Sequence, residues 1–413
     1  MTSPEVEKIQ KRLLIGRVFT PNAPIDEASL FSGRVPQLQS VVDAINQRGQ
    51  HAVIHGERGV GKTSFTNVLK SFLNTPGISV LVARATADKN DNYSTLWRKV
   101  FGEIPYQSET KTAGFSPQSS IISQRISDVL PDTIEPNMVR RLVTDLGANG
   151  LFVIVIDEFD RLAPEVSVMM ADTVKSLSDH ASPVTLILVG VADSVNQLIE
   201  DHASVERCLL QIHMPRMSDQ EIREVVNNGL KILNMEIDPT ALDRIVLLSQ
   251  GLPHFTHLIS QHAATHSNDN DRSTIIIEDI EYAVGKSVEN AQLSIRTLYN
   301  KAVSSPRPDN LYSQVLLACA LAEHDDLGYF QTTSVREPMS QLMGKRYEIP
   351  SFAKHLKDFC DADRGPILER IGPERRFRYR FINPLVQPYV IMRGISDGRL
   401  SRERLTSYYE TGH

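Results

Sequence analysis

Cysteine is scarce: Cys208, Cys319 and Cys360 are the only three in 413 residues, and they stand far apart. That spacing excludes a disulfide framework and a Cys-x-x-Cys metal pair, leaving three reduced thiols. Long apolar runs are also missing. The longest, at 151–156 and around 186–189, fall far short of the roughly 20 residues that span a bilayer. No membrane segment is expected. Residues 1–16, MTSPEVEKIQKRLLIG, contain no apolar h-region and no small-residue cleavage site, so a cytoplasmic protein is expected. A basic excess is lacking too. With 44 Lys and Arg against 50 Asp and Glu the formal charge is −6, and no overall field draws the chain to nucleic acid or anionic lipid. Any DNA contact must then come from a local patch. No internal repeat or sustained heptad is present, which rules out a solenoid or coiled coil.

What is present is ordinary globular material, long enough for two or three domains. Residues 1–30 are polar and proline-punctuated and read as an N-terminal arm. Short apolar strands follow at 51–56, 79–83, 151–156, 184–191 and 209–214, alternating with helical patterns at 37–45, 65–72, 93–101, 137–146 and 166–180. Continuous apolar strands between helices predict an α/β domain over 31–215, a five-stranded parallel sheet covered on both faces. The Ser/Gln/Thr-rich stretch 103–136 reads as an insertion or loop, with a helix near 121–129. Amphipathic helices at 219–233, 240–250, 254–266 and 280–292 predict a helical lid domain over 216–304. After the break at 304–308 comes a last domain, 309–413, with helices at 311–323 and 349–359, then strands at 366–370 and 377–382. Helices followed by a hairpin suggest a winged helix.

The motif with the most chemistry is Gly56-Glu57-Arg58-Gly59-Val60-Gly61-Lys62-Thr63, a complete G-x-x-x-x-G-K-[ST] between a strand and a helix. Its glycines let backbone N–H groups curl around phosphate oxygens at a helix N-terminus, with Ser64 next in line. Lys62 suits the β- and γ-phosphates, and the Thr63 hydroxyl suits Mg²⁺. The strand 151–156 runs into Asp157-Glu158-Phe159-Asp160, at the edge where parallel sheets bind ligands. Asp157 fits a metal-orienting role and Glu158 a general base for water. Asp160 reads instead as a helix N-cap. The guanine-selective N/T-K-x-D signature is absent, which makes ATP the expected nucleotide and an ATPase the expected enzyme.

On these motifs the chain resembles the AAA+ P-loop ATPases, in the branch of archaeal origin-recognition initiators and the signal-transducing STAND NTPases. The resemblance runs over roughly 30–300 and more weakly through the C-terminal domain. Leu30-Phe31-Ser32-Gly33-Arg34 resembles the family's lead-in beside the adenine, with a helix start and surface Arg as the other reading. The resemblance implies a γ-phosphate sensor after the fourth strand, where this chain has Asp193 in place of Asn or Thr; an N-cap is the other reading there. It implies an arginine finger at Arg207, against a plain surface ion pair. It also implies a nucleotide contact from Pro253 and His254, in the sensor-2 place where many relatives carry Arg.

Segment 364–380 holds six Arg against Glu369 and Glu374, a local +4 in an acidic chain. Arg375, Arg376 and Arg378 are its candidates for duplex-DNA phosphates, against a solvated hairpin face. The expected function is an ATP-binding, slowly hydrolysing switch that assembles with nucleotide and acts on DNA through the winged helix. It would be initiator-like or transposition-regulator-like, working as a homo-oligomer or with another protein. The alternative is a STAND-like signalling or defence NTPase gating a protein partner. Glu158 argues against a P-loop that merely binds nucleotide.

Overall fold

The computed structural model describes residues 4–24, 33–73, 79–111, 119–148, 150–191, 203–307, 310–373 and 376–401. They form two compact units that the chain enters alternately: 34–56 with 62–214, and 1–33 with 57–61 and 215–413.

The first unit is an α/β layer structure. Its five strands are β1 (His51–His55), β2 (Val80–Thr86), β5 (Leu151–Asp157), β6 (Val184–Gly190) and β7 (Leu209–His213). They pair in parallel in the order β2-β5-β6-β1-β7, the expected sheet. Burial on both faces explains the unbroken apolar runs, since every residue of β6 is buried. The core joins Phe152, Ile154, Ile156, Leu186 and Leu188 to Trp97, Phe101, Val143 and Leu177 from the flanking helices. Helix Tyr93–Gly102 opens on a capping box, Asn92 accepting from Thr95 N while Thr95 accepts from Asn92 N. His51 is buried inside β1, accepts a hydrogen bond from Leu186 N at 3.1 Å, and is pushed down to about 4 by that burial.

Two sequence expectations change here. The stretch read as an insertion with a helix near 121–129 is an antiparallel ribbon, β3 (Pro105–Lys111) with β4 (Ser119–Arg125), followed by one 3₁₀ turn, Ile126–Val129. Ser, Thr and paired Ile favour extended backbone over helix, and the ribbon pairs its backbone groups without needing a core. Asp160 is not an N-cap. It lies inside the 3₁₀ turn Phe159–Arg161, the next helix starts at Pro164 after Ala163, and Glu158 stands at the cap position with φ 53°.

The second unit is mainly helical. The N-terminal segment, read as an arm, is helix Pro4–Val18; Ile15, Val18 and Phe19 are buried as it packs on helices Asp219–Leu233 and Pro253–Asp269. Helix Asp219–Leu233 begins at a Ser218/Glu221 capping box. A two-residue parallel pair, β8 (Glu236–Ile237) with β9 (Thr274–Ile275), brackets helices Pro239–Ser249 and Pro253–Asp269. Asp279 is wholly buried yet saturated: Arg272 grips it through two nitrogens at 2.7 Å, with His266 Nδ1 at 2.6 Å and Ile276 N at 2.9 Å.

Toward the C-terminus come helix Tyr312–Leu321, strand β10 (Phe330–Gln331), helices Arg336–Met343 and Ala353–Asp358, strands β11 (Leu368–Ile371) and β12 (Arg378–Phe381), and helix Val386–Ser396. The three strands form an antiparallel sheet in the order β10-β12-β11. The expected helix over 349–359 is shorter, because Pro350 leaves a 3₁₀ turn before Ala353. On β12, Tyr379 and Phe381 are buried while Arg378 is exposed, the alternation of a half-buried strand.

Candidate functional site

The α/β unit brings its chemical groups to one edge. Strand β6 lies between β1 and β5, so the carboxyl ends at His55 and Asp157 flank Gly190. Gly56 leaves β1 so tightly that a Cβ there would collide with Met214 O. The loop then turns through Gly59 and Gly61, with φ of 87° and 95°, a region that side-chain-bearing residues avoid. Helix Lys62–Leu73 starts directly after it, so the first orphan N–H groups of the helix follow the glycine turn. Lys62 Nζ donates to Gly56 O at 2.9 Å and spans its own loop. Thr63 and Ser64 are half-buried in the first turn.

At the end of β5, Asp157 is buried and accepts from Glu158 N at 2.9 Å and from Arg84 Nη2 at 3.0 Å. Arg84 comes from β2, the strand paired with β5. Glu158 is exposed, in left-handed backbone, with Arg161 Nη1 on its carboxylate at 2.6 Å. Arg207 is exposed and donates to Asp179 at 2.9 Å, a surface ion pair with an acid other than the neighbouring Glu206. Asp193 lies outside the described residues, as do Leu30, Phe31 and Ser32. Arg34 holds the position before helix Val35–Asn46, buried instead of at the surface, with φ 64° and no side-chain cap bond.

The remaining loop residues, 57–61, pack within the helical unit. Glu57 meets Arg216, Nε to Oε2 at 2.6 Å; Arg58 is exposed and Val60 buried. Space beside Gly59 is closed by Leu385 and Leu252, and beside Gly61 by Pro253. His254 is mostly buried and donates from Nδ1 to Pro21 O at 2.7 Å; burial holds it below the usual histidine range and so neutral at pH 7. His257 is a core histidine, accepting from Thr20 N at 3.2 Å.

Two arginines of segment 364–380 pair with acids and two others lie over aromatic rings. Arg378 pairs with Asp325 at 3.1 Å and Arg380 with Glu369; Arg370 lies over Phe377, and Arg364 over Tyr312 while donating to Ala302 O at 2.6 Å. Glu369 is already in the +4 count, so Asp325 is the added acid that offsets one of these charges. Arg376 is exposed, and Arg375 lies outside the described residues. Sequence reasoning missed Arg84, Arg161 and Arg216. Only Arg161, three residues beyond Glu158, carried a local signal; the other two reach their carboxylates through the fold.

Residues 45–199 match the AAA domain family. Among solved structures, the chain is similar to the ORC2 protein of Aeropyrum pernix, solved with ADPNP and ADP, at a TM-score of 0.50 and 15% identity over 92% of this chain and 98% of that one. It is similar as well to a Walker-type ATPase of Pyrococcus abyssi, at a TM-score of 0.51 and 14% identity over 90% and 99% of the two chains. No curated protein matches in sequence. The likeness to these solved structures is one of fold, and the segment 45–199 is the part that matches an AAA domain. No helix among the described residues is long and apolar enough to cross a membrane.

Proposed function

We propose that the chain binds ATP on the 56–63 loop and hydrolyses it slowly, the nucleotide state governing assembly and contact with duplex DNA. The observation that carries this is Lys62 folded back onto Gly56 O at the start of helix Lys62–Leu73, after a loop with left-handed Gly59 and Gly61, while Asp157 ends β5 and Glu158 follows it. Backbone N–H groups and the helix terminus take the phosphates, and Lys62 turns from Gly56 O to the β- and γ-oxygens. Thr63 and Asp157 offer a hydroxyl and a buried carboxylate, hard oxygen donors that fit Mg²⁺, which when bound supplies charge neutralisation at the β- and γ-oxygens. Glu158, once it lets go of Arg161, takes a proton from the water that attacks the γ-phosphorus. Arg207, exposed, reaches the nucleotide of a neighbouring copy after leaving Asp179.

For the C-terminal segment, the order helix, strand, two helices, strand, strand over 312–381 supports a winged helix. Arg376 on the hairpin, with the exposed Lys354 and Lys357 on helix Ala353–Asp358, supplies the charge facing outward. Two substitutions test the enzymatic core. Lys62→Ala should abolish binding of a fluorescent ATP analogue. Glu158→Gln should keep binding and lose at least about 100-fold in turnover; hydrolysis at the wild-type rate would overturn the general base.

A further inference from the structure

Within the helical unit, the P-loop residue Glu57 is held by residues far along the chain. Arg216 grips both its carboxylate oxygens, at 2.6 and 3.3 Å. From the other side of its guanidinium, Arg216 Nη1 donates to Gln387 Oε1 at 2.8 Å, His324 Nε2 at 3.1 Å and Gln250 O at 3.2 Å. His324 Nδ1 donates to Ala322 O at 2.9 Å, which fixes the tautomer and leaves Nε2 as the acceptor that Arg216 needs. Burial, with Arg216 beside it, lowers His324 to about 4 and keeps that acceptor unprotonated. Gln387, buried, completes the knot by donating to Ala320 O at 2.9 Å. Gly328, at φ 79°, is where this segment touches the loop: a Cβ there would run into Glu57 Oε1.

An anion one residue into a phosphate loop is a liability. The incoming polyphosphate repels Glu57 and competes for Arg216, so the pair must tighten or yield when nucleotide arrives. Either response moves a guanidinium that also holds His324 and Gln387. We propose that Arg216 is a positioning residue that sets the P-loop through Glu57 and reports nucleotide occupancy to 322–331 and 383–391. This rests on the nucleotide reading above.

The test is amide hydrogen exchange of the full chain with and without ADP and Mg²⁺, alongside a direct ADP titration. In wild type, ADP should change exchange in 322–331 and 383–391 by about fivefold or more. Glu57→Gln, the same shape without the charge, should weaken ADP binding and, at ADP concentrations that saturate it, lose that distant response. Gly328→Ala should weaken ADP binding about tenfold. Gly344→Ala is its control, because Gly344 shares the left-handed backbone (φ 65°) but a methyl there meets nothing within 4 Å. It should bind like wild type. Were Gly328→Ala not to fold, Glu57→Gln alone decides. ADP that binds wild type without altering exchange at 322–331, or equal ADP affinity in the two glycine variants, would overturn the proposal. No ADP binding by wild type would instead bring down the nucleotide reading, and this inference with it.

Discussion

The two units differ in how many partners their buried ions have. The α/β unit keeps a mostly apolar sheet interior and sets Lys62, Asp157, Glu158 and Arg84 at one edge, where the buried Asp157 has Arg84 as its side-chain partner. The helical unit sinks full ionic knots instead: Asp279 with Arg272 and His266, and Glu57 with Arg216, His324 and Gln387. Apolar packing tolerates loss gradually, with a cost set by the cavity left behind. A buried ion fails abruptly when one partner goes, since the other stays desolvated and unpaired.

The sharpest way to break this contrast is to delete one member of a knot. Asp279→Ala should cost about 3–5 kcal/mol by leaving Arg272 without its carboxylate, and Asp279→Asn should recover only part of it. Ile154→Ala, in the middle of β5, should cost about 2–5 kcal/mol through a cavity, and Ile154→Val less than about 1.5. Denaturant midpoints with unchanged slopes would check both. If Asp279→Asn proved as stable as wild type, the ionic knot would count for no more than its shape.

Acid offers a gentler test that reaches both units. His51 lies in the sheet, while His257 and His324 lie in the helical unit; burial lowers each to about 4. The unfolded state, titrating near 6.5, binds protons that the folded state refuses, so each histidine's stabilisation is complete above about pH 6.5. It is lost as pH falls toward 4, by about 3 kcal/mol per histidine at most. Thermal melts from pH 7.5 to 4.5 should show a falling midpoint, and His51→Gln should flatten the curve. A midpoint constant over that range would refute the buried neutral histidines.

The smallest effect on stability is expected at the hairpin. Arg376→Glu with Arg378→Glu should cost less than about 1 kcal/mol, because the Arg378–Asp325 pair is exposed. The same variant should lose most affinity for duplex DNA, and wild-type binding should weaken steeply with salt. Duplex binding that ignores the double substitution would remove the hairpin from the DNA reading.

The sheet was legible because burial on both faces writes itself as unbroken apolar runs such as LFVIVI, and the P-loop because its glycines are fixed by backbone geometry. The ribbon over 105–125 was not, since polar Ser and Thr give no period that separates strand from loop. Helix Pro4–Val18 was hidden by its exposed Ile9 and Leu13, which blur the amphipathic face. Arg84 and Arg216 were invisible for a different reason. Their partners stand 73 and 159 residues away, and only the folded chain introduces them.

The packing of the first helix also sets a schedule for biosynthesis. Thr20 donates to His257, 237 residues further on, and Phe19 closes edge-on against the same ring at 5.9 Å. At about 5–20 residues per second, the N-terminal helix leaves the ribosome roughly 10–50 s before that ring is made. Throughout that wait the side chains of Ile15, Val18 and Phe19 are exposed to whatever else is in reach, and the intervening AAA segment can complete its sheet first. Helix Pro4–Val18 is thus made well before the surface it packs on, and it docks only once Pro253–Asp269 has been synthesised.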